Sequence, residues 1–232
     1  MILSDIQDIL NLFYPNTCIG CKNHLSYNNH LLCLSCFHDL PYSYYSKQKN
    51  NPIEQIFYGK TPIKGATSLF LFQEKSILQT IIHELKYKNN KHIGLFLGKL
   101  LAFELSLNKQ FLNLDYILPV PIHAKKLKQR GYNQLTKVGC SLSDELGIPF
   151  IENLLIKTGN SKTQTKKSKT DRWQNTQASF FLKDIKRFEN KNILLIDDVI
   201  TTGATLVGCA KELCKTKNIS ISIATIAHTI NF

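Results

Sequence analysis

Residues 192–208, NILLIDDVITTGATLVG, constrain this chain more than any other stretch. The run 193–196 is aliphatic without interruption, the pattern of a strand buried on both faces. Two adjacent acids follow, Asp197 and Asp198, then Val199 and Ile200. Next comes a small-residue loop of Thr201, Thr202, Gly203, Ala204 and Thr205, with a helix-like segment beyond it. A buried strand feeding such a loop and then a helix belongs to an α/β fold with a parallel sheet. The first N–H groups of the helix have no internal partners and suit an anion. Three threonine hydroxyls add donors, and Gly203 lets the backbone approach a ligand closely. Carboxylates at a strand's carboxyl end accept hydrogen bonds from sugar hydroxyls, where open α/β sheets bind ligands. The stretch therefore predicts a pentose beside Asp197 and Asp198, with its phosphate in the threonine loop. A Walker loop is excluded, because the lysine it requires after its last glycine is missing.

Near the amino end stand two C-x-x-C knuckles, Cys18/Cys21 and Cys33/Cys36, separated by residues 22–32. Four thiolates in two tight turns supply the tetrahedral set of a structural Zn2+. A redox pair needs only one C-x-x-C, and a closed four-sulfur shell leaves no position for catalysis. His24, His30 and His38 are bystanders on this reading, and Cys140, Cys209 and Cys214 are core or helix-face thiols.

The remaining segments order themselves around these two features. Ile2, Ile6, Ile9, Leu10 and Phe13 share one face at helical spacing and predict a short amphipathic helix. Its polar face is acidic, which favours packing on the cysteine module over membrane contact. Residues 1–45 are then helix plus metal module, 46–63 a Tyr-, Asn-, Lys- and Pro-rich linker, and 64–232 the main domain. Within that domain, strands are expected at 66–72, 115–118 and 219–228, and helices at 76–87, 93–107 and 133–146. Residues 123–134 follow a strand stopped by Pro119 and Pro121, and read as a loop carrying Lys125, Lys126, Lys128 and Arg130. Such a loop holds a pyrophosphate or is simply solvated. Residues 157–175 are polar and lysine-rich, and read as a mobile loop.

Several pieces together resemble the ComF family of competence-linked proteins, and through it the type I phosphoribosyltransferases. They are Tyr87-Lys88, the D-x-x-x-P-V-P of residues 115–121, R-G-Y-N-Q at 130–134, the four-cysteine knuckles and D-D-V-x-T-T-G-A-T. The resemblance runs from about Cys18 to the end of the chain. It implies a type I phosphoribosyltransferase-like, Rossmann-type sheet that binds 5-phosphoribosyl 1-pyrophosphate (PRPP) with Mg2+. Asp197, Asp198 and Arg130 take the catalytic positions, and the two acids hold the ribose hydroxyls. Thr201, Thr202, Gly203, Ala204 and Thr205 bind the 5′-phosphate. Arg130, Asn133, Gln134 and Arg172 fall on the pyrophosphate side, while Gln164, Asn175 and Phe180 match further family positions. Lys157, Ser168 and Asn89-Asn90 depart from the family's usual Arg, Leu and Gly-Asp. Purine-type members carry an acid where this chain has Thr201, so hypoxanthine or guanine salvage is disfavoured.

Lysine and arginine total 29 against 17 acids, a formal net charge of +12. That favours phosphates, nucleic acid or an anionic membrane face, although a lysine-rich base composition gives the same excess. Asp5 and Asp8 stand where a signal peptide needs basic residues, and no apolar run reaches membrane-spanning length. A cytoplasmic protein is expected, peripheral at most to the inner face of the membrane. The resemblance implies support for uptake of single-stranded DNA, with the competence DNA-import machinery at the inner membrane as partner. Two other readings stand beside it. One is a transferase acting on an unidentified acceptor, and the other is a zinc-dependent single-stranded DNA binder with a vestigial PRPP loop.

Overall fold

In a computed structural model, which describes residues 16–25, 31–87, 90–158 and 179–230, the apolar runs pair into a parallel sheet. Its strands are β1 (Gly65–Phe72), β2 (Tyr116–Pro119), β5 (Asn192–Ile200) and β6 (Ser220–Thr229). The order is β1–β6–β5–β2, and every pairing is parallel. The remaining strands, β3 (Leu155–Thr158) and β4 (Ser179–Leu182), form a separate antiparallel pair. The helices are α1 (Leu34–His38), α2 (Pro52–Gln55), α3 (Ile77–Tyr87), α4 (Lys91–Ser106), α5 (Ala124–Arg130), α6 (Leu135–Leu146) and α7 (Ala204–Leu213). The α/β architecture expected from the sequence, a parallel sheet with a small four-cysteine module, is the one observed.

β5 sits between β6 and β2, so both of its edges are paired and both faces covered. That is why its aliphatic run tolerates no polar interruption until Asp197. Ile193, Leu194, Leu195 and Ile196 are all buried; each such side chain contributes about 1.5–3 kcal/mol relative to exposure. The strand continues through both acids to Ile200 rather than ending before them. Helix α6 packs on α4 and against β2 and β5, while α7 packs against β5 and β4. Close approach of α4 to α6 requires Gly98, where a Cβ would lie 2.6 Å from the Ser141 Cβ.

Residues 41–43 shield the outer edge of β1. Leu71 N–H donates to the Pro41 carbonyl (2.8 Å) and Ser43 N–H to the Leu69 carbonyl (3.0 Å). The stretch read as a linker is itself packed. Ile53 and Phe57 are buried in the core. Asn51 accepts from the N–H groups of Ile53 and Glu54, capping α2, and its amide donates to the Ala66 carbonyl of β1 at 2.8 Å.

Two local expectations are corrected. The basic segment after β2 is not a loop throughout, because residues 124–130 form α5. Lysine, leucine, glutamine and arginine are all good helix formers, and Gly131, at φ 76°, ends the turn by donating to the Leu127 carbonyl at 2.7 Å. Lys157 belongs to β3 rather than to a loop, because its strand finds a partner in β4 twenty-odd residues later. The expected amino-terminal helix and residues 159–178 lie outside the described residues.

Candidate functional site

Side chains alternate along a strand, so adjacent Asp197 and Asp198 leave β5 on opposite faces. Asp197 lines a pocket of about 60 Å³ together with Val199, Thr201, Thr202, Gly203 and Thr205. The pocket lies at the amino end of α7, whose first helical bond runs from Val207 N–H to the Gly203 carbonyl at 2.8 Å. The N–H groups of the preceding turn have no helical acceptor. Gly203 caps this turn at φ 73°, in the left-handed region. A Cβ there would lie 2.3 Å from Ile56 Cγ2. The glycine is thus required by backbone conformation and by packing against residues 46–63, not only by a ligand's approach.

Asp198 turns to the other face and is buried. Its Oδ2 lies 2.9 Å from Lys86 Nζ at the end of α3 and accepts from Gln134 Nε2 at 2.9 Å. Its Oδ1 accepts from Val199 N–H at 2.6 Å. Gln134 Oε1 accepts from Arg130 Nη1 at 2.9 Å, and that guanidinium stacks 5.1 Å above the Tyr87 ring. Asn133 Oδ1 accepts from Leu135 N–H at 3.1 Å, so its side chain caps the first turn of α6.

The paired acids differ electrically. Burial first, and then the charge of Asp198, push Asp197 up from 3.8 to about 8, with Lys86 and Lys157 opposing. Burial and Asp197 also raise the Cys209 thiol on α7 well above its ordinary value. A larger cavity of about 550 Å³ has walls that include Pro121, Ile122, Asn133, Lys137, Lys157 and Lys183. Among the described residues none of these three lysines forms an ion pair. Lys157, 5.7 Å from the Phe180 ring centre, connects this cavity with Asp197.

The knuckle sulfurs of Cys18, Cys21, Cys33 and Cys36 all lie within 4.8 Å of one another. Cys21 and Cys33 are 3.7 Å apart. A tetrahedral shell with Zn–S of about 2.3 Å has S–S edges of about 3.8 Å, so the donor set fits zinc. Burial opposes ionisation of Cys18, but backbone N–H groups of Cys33, Cys21 and Gly20 outweigh it and bring the thiol down to about 6. Burial and the neighbouring thiols push Cys36 up to about 12. Neither His24 nor His38 joins this cluster.

The structure thus brings Asp197 together with the threonine loop, and Asp198 together with Arg130 and Gln134. Arg172, Gln164, Asn175, Ser168, Lys88, Asn89 and His30 lie outside the described residues. Sequence reasoning missed Lys86 and the stacking role of Tyr87. The available signal was their place in the last turn of an amphipathic helix, but only the fold turns that end toward β5.

No family model matches the chain. Competence protein F of Haemophilus influenzae is 31% identical over 219 residues, covering 88% of this chain and 93% of that protein. DNA utilization protein YhgH of Salmonella typhi is 24% identical over 156 residues, 66% of this chain and 68% of its own length. Among solved structures, an adenine phosphoribosyltransferase aligns with a TM-score of 0.39 at 19% identity, over 61% of this chain and 72% of its own. A likeness at that level carries no weight for function. The relation to the Haemophilus protein spans nearly all of both chains, and on it this chain belongs to the ComF family of competence protein F.

Proposed function

We propose that the chain binds PRPP with Mg2+ at the carboxyl end of β5, and does so as a cytoplasmic protein of natural competence. One observation carries this reading: Asp197 and the threonine loop share a single pocket at the amino end of α7. The N–H groups of that turn and the hydroxyls of Thr201, Thr202 and Thr205 bind the 5′-phosphate. The acid pair serves the ribose side. Arg130, Asn133, Gln134 and Arg172 serve the pyrophosphate side, each such contact contributing on the order of 2–4 kcal/mol where charge develops. Mg2+, when bound with the ligand, neutralises pyrophosphate charge. Cys18, Cys21, Cys33 and Cys36 hold Zn2+ as a closed structural shell.

The names of two relatives, a competence protein and a DNA utilization protein, support a role in the uptake of single-stranded DNA across the inner membrane. The net charge of +12 suits that partner. Among the described residues no helix is long and apolar enough to cross a membrane. Contact with the import machinery is therefore proposed as peripheral, at the membrane's inner face.

A second reading, turnover onto an acceptor, is favoured by the cavity lined by Lys137, Lys157 and Lys183, of which Lys157 acts electrostatically on Asp197. Calorimetry with PRPP and Mg2+ tests the binding. The parent protein binds, and Asp197→Ala with Asp198→Ala abolishes the heat, whereas unchanged affinity rejects the site. Loss of transformation in the same double variant tests the cellular role, and pyrophosphate release on adding an acceptor separates turnover from binding alone.

A further inference from the structure

We infer that Asp198 is a positioning residue for the pyrophosphate side, with Lys86 as its partner, so that the two adjacent acids divide the ligand between them. The inference rests on the PRPP reading and alters its distribution of roles. Asp198 is 8% exposed and is not a wall of the threonine-loop pocket. Of roughly four lone-pair sites on a carboxylate, three are taken, by Lys86 Nζ, Gln134 Nε2 and Val199 N–H. Turning Asp198 toward a sugar hydroxyl would strip Lys86, whose side chain is 22% exposed, of its counter-charge. It would also leave the buried Gln134 amide without an acceptor.

The direction of the Gln134 amide carries the argument further. An ionised carboxylate only accepts, so Asp198 requires the NH2 end of Gln134 to face it. The carbonyl end is then presented to Arg130, which donates to it at 2.9 Å. Tyr87, next to Lys86 in α3, holds the other side of that guanidinium. One buried carboxylate thereby fixes two cations, Lys86 directly and Arg130 through Gln134. Both come from elements other than β5, at the sheet end where the pyrophosphate is proposed to lie. Asp197, alone in facing the threonine loop, keeps the ribose.

Half-ligands separate the two roles, with ribose 5-phosphate and inorganic pyrophosphate plus Mg2+ as probes. Asp198→Asn and Lys86→Met are each expected to weaken pyrophosphate about tenfold or more and leave ribose 5-phosphate within about twofold. Lys86→Arg restores pyrophosphate binding, and the double variant is no weaker than either single one. Asp197→Asn shows the reverse pattern. Retained ribose 5-phosphate binding also certifies that the Asp198 and Lys86 variants are folded, and retained pyrophosphate binding does so for Asp197→Asn. The inference is overturned if Asp198→Asn weakens ribose 5-phosphate and spares pyrophosphate, if both fall equally, or if the double variant is additive. A parent protein that binds neither half-ligand nor PRPP instead removes the PRPP reading itself, and this inference with it.

Discussion

At the scale of single residues, the acid pair shows how position in a strand decides chemistry. Asp197 and Asp198 are identical in type and adjacent, yet one lines a pocket and the other is ion-paired under helices. The carboxyl of Asp197 ionises near 3.8 in the unfolded chain and near 8 in the folded one. Between those values the folded protein holds a proton that the unfolded chain has released. Stability therefore falls as pH rises through this window and is level above it. Asp197→Asn lacks that proton. Urea unfolding should show the variant equal to the parent near the acid end of the window and more stable above its alkaline end, by up to about 1.4 kcal/mol for each pH unit crossed; a gain independent of pH would reject the assignment. Gly203 makes a second residue-scale case. Gly203→Ala should cost about 1–3 kcal/mol through its φ of 73° and the contact with Ile56. The same change at Gly59, with φ 68° and nothing within 4 Å of a new Cβ, should cost less in the same denaturation assay.

Elements take their meaning here from what covers them. The edge strand β1 pairs with residues 41–43, and Asn51 and Phe57 attach the following stretch to the same strand and core. A segment with the composition of a linker is thus a structural strap between the cysteine module and the sheet. Phe57→Ala should then destabilise the protein by about 3–5 kcal/mol, and a loss below about 1 kcal/mol would mean the strap is loose. The metal module makes a separate prediction. Purified protein should contain one Zn2+ per chain, and Cys18→Ser or a strong chelator should remove it and expose residues 16–25 and 31–36 to hydrogen exchange while β5 stays protected. Protein with no zinc and four freely modified thiols would end the metal assignment.

On the scale of the whole molecule, the charge of +12 and the pocket at the carboxyl end of the sheet suit the phosphorylated ligand proposed above. Affinity for a single-stranded oligonucleotide should fall steeply with salt, by a logarithmic slope of about −0.7 for each phosphate contacted; a flat response in a fluorescence titration would exclude the electrostatic account. What the sequence determined by itself was local and covalent. The aliphatic run before the acids required a buried strand, the threonine loop required a helix start, and the cysteine spacing required two knuckles. Each follows from neighbouring residues and their periodicity. Only the tertiary structure decided that Lys86 meets Asp198, that Gly203 packs on Ile56, that Lys157 pairs into a hairpin, and that the strap is buried. Those contacts join residues that are not neighbours in the chain. No local pattern encodes them, because the partner of a side chain is set by which faces the sheet and its helices bring together.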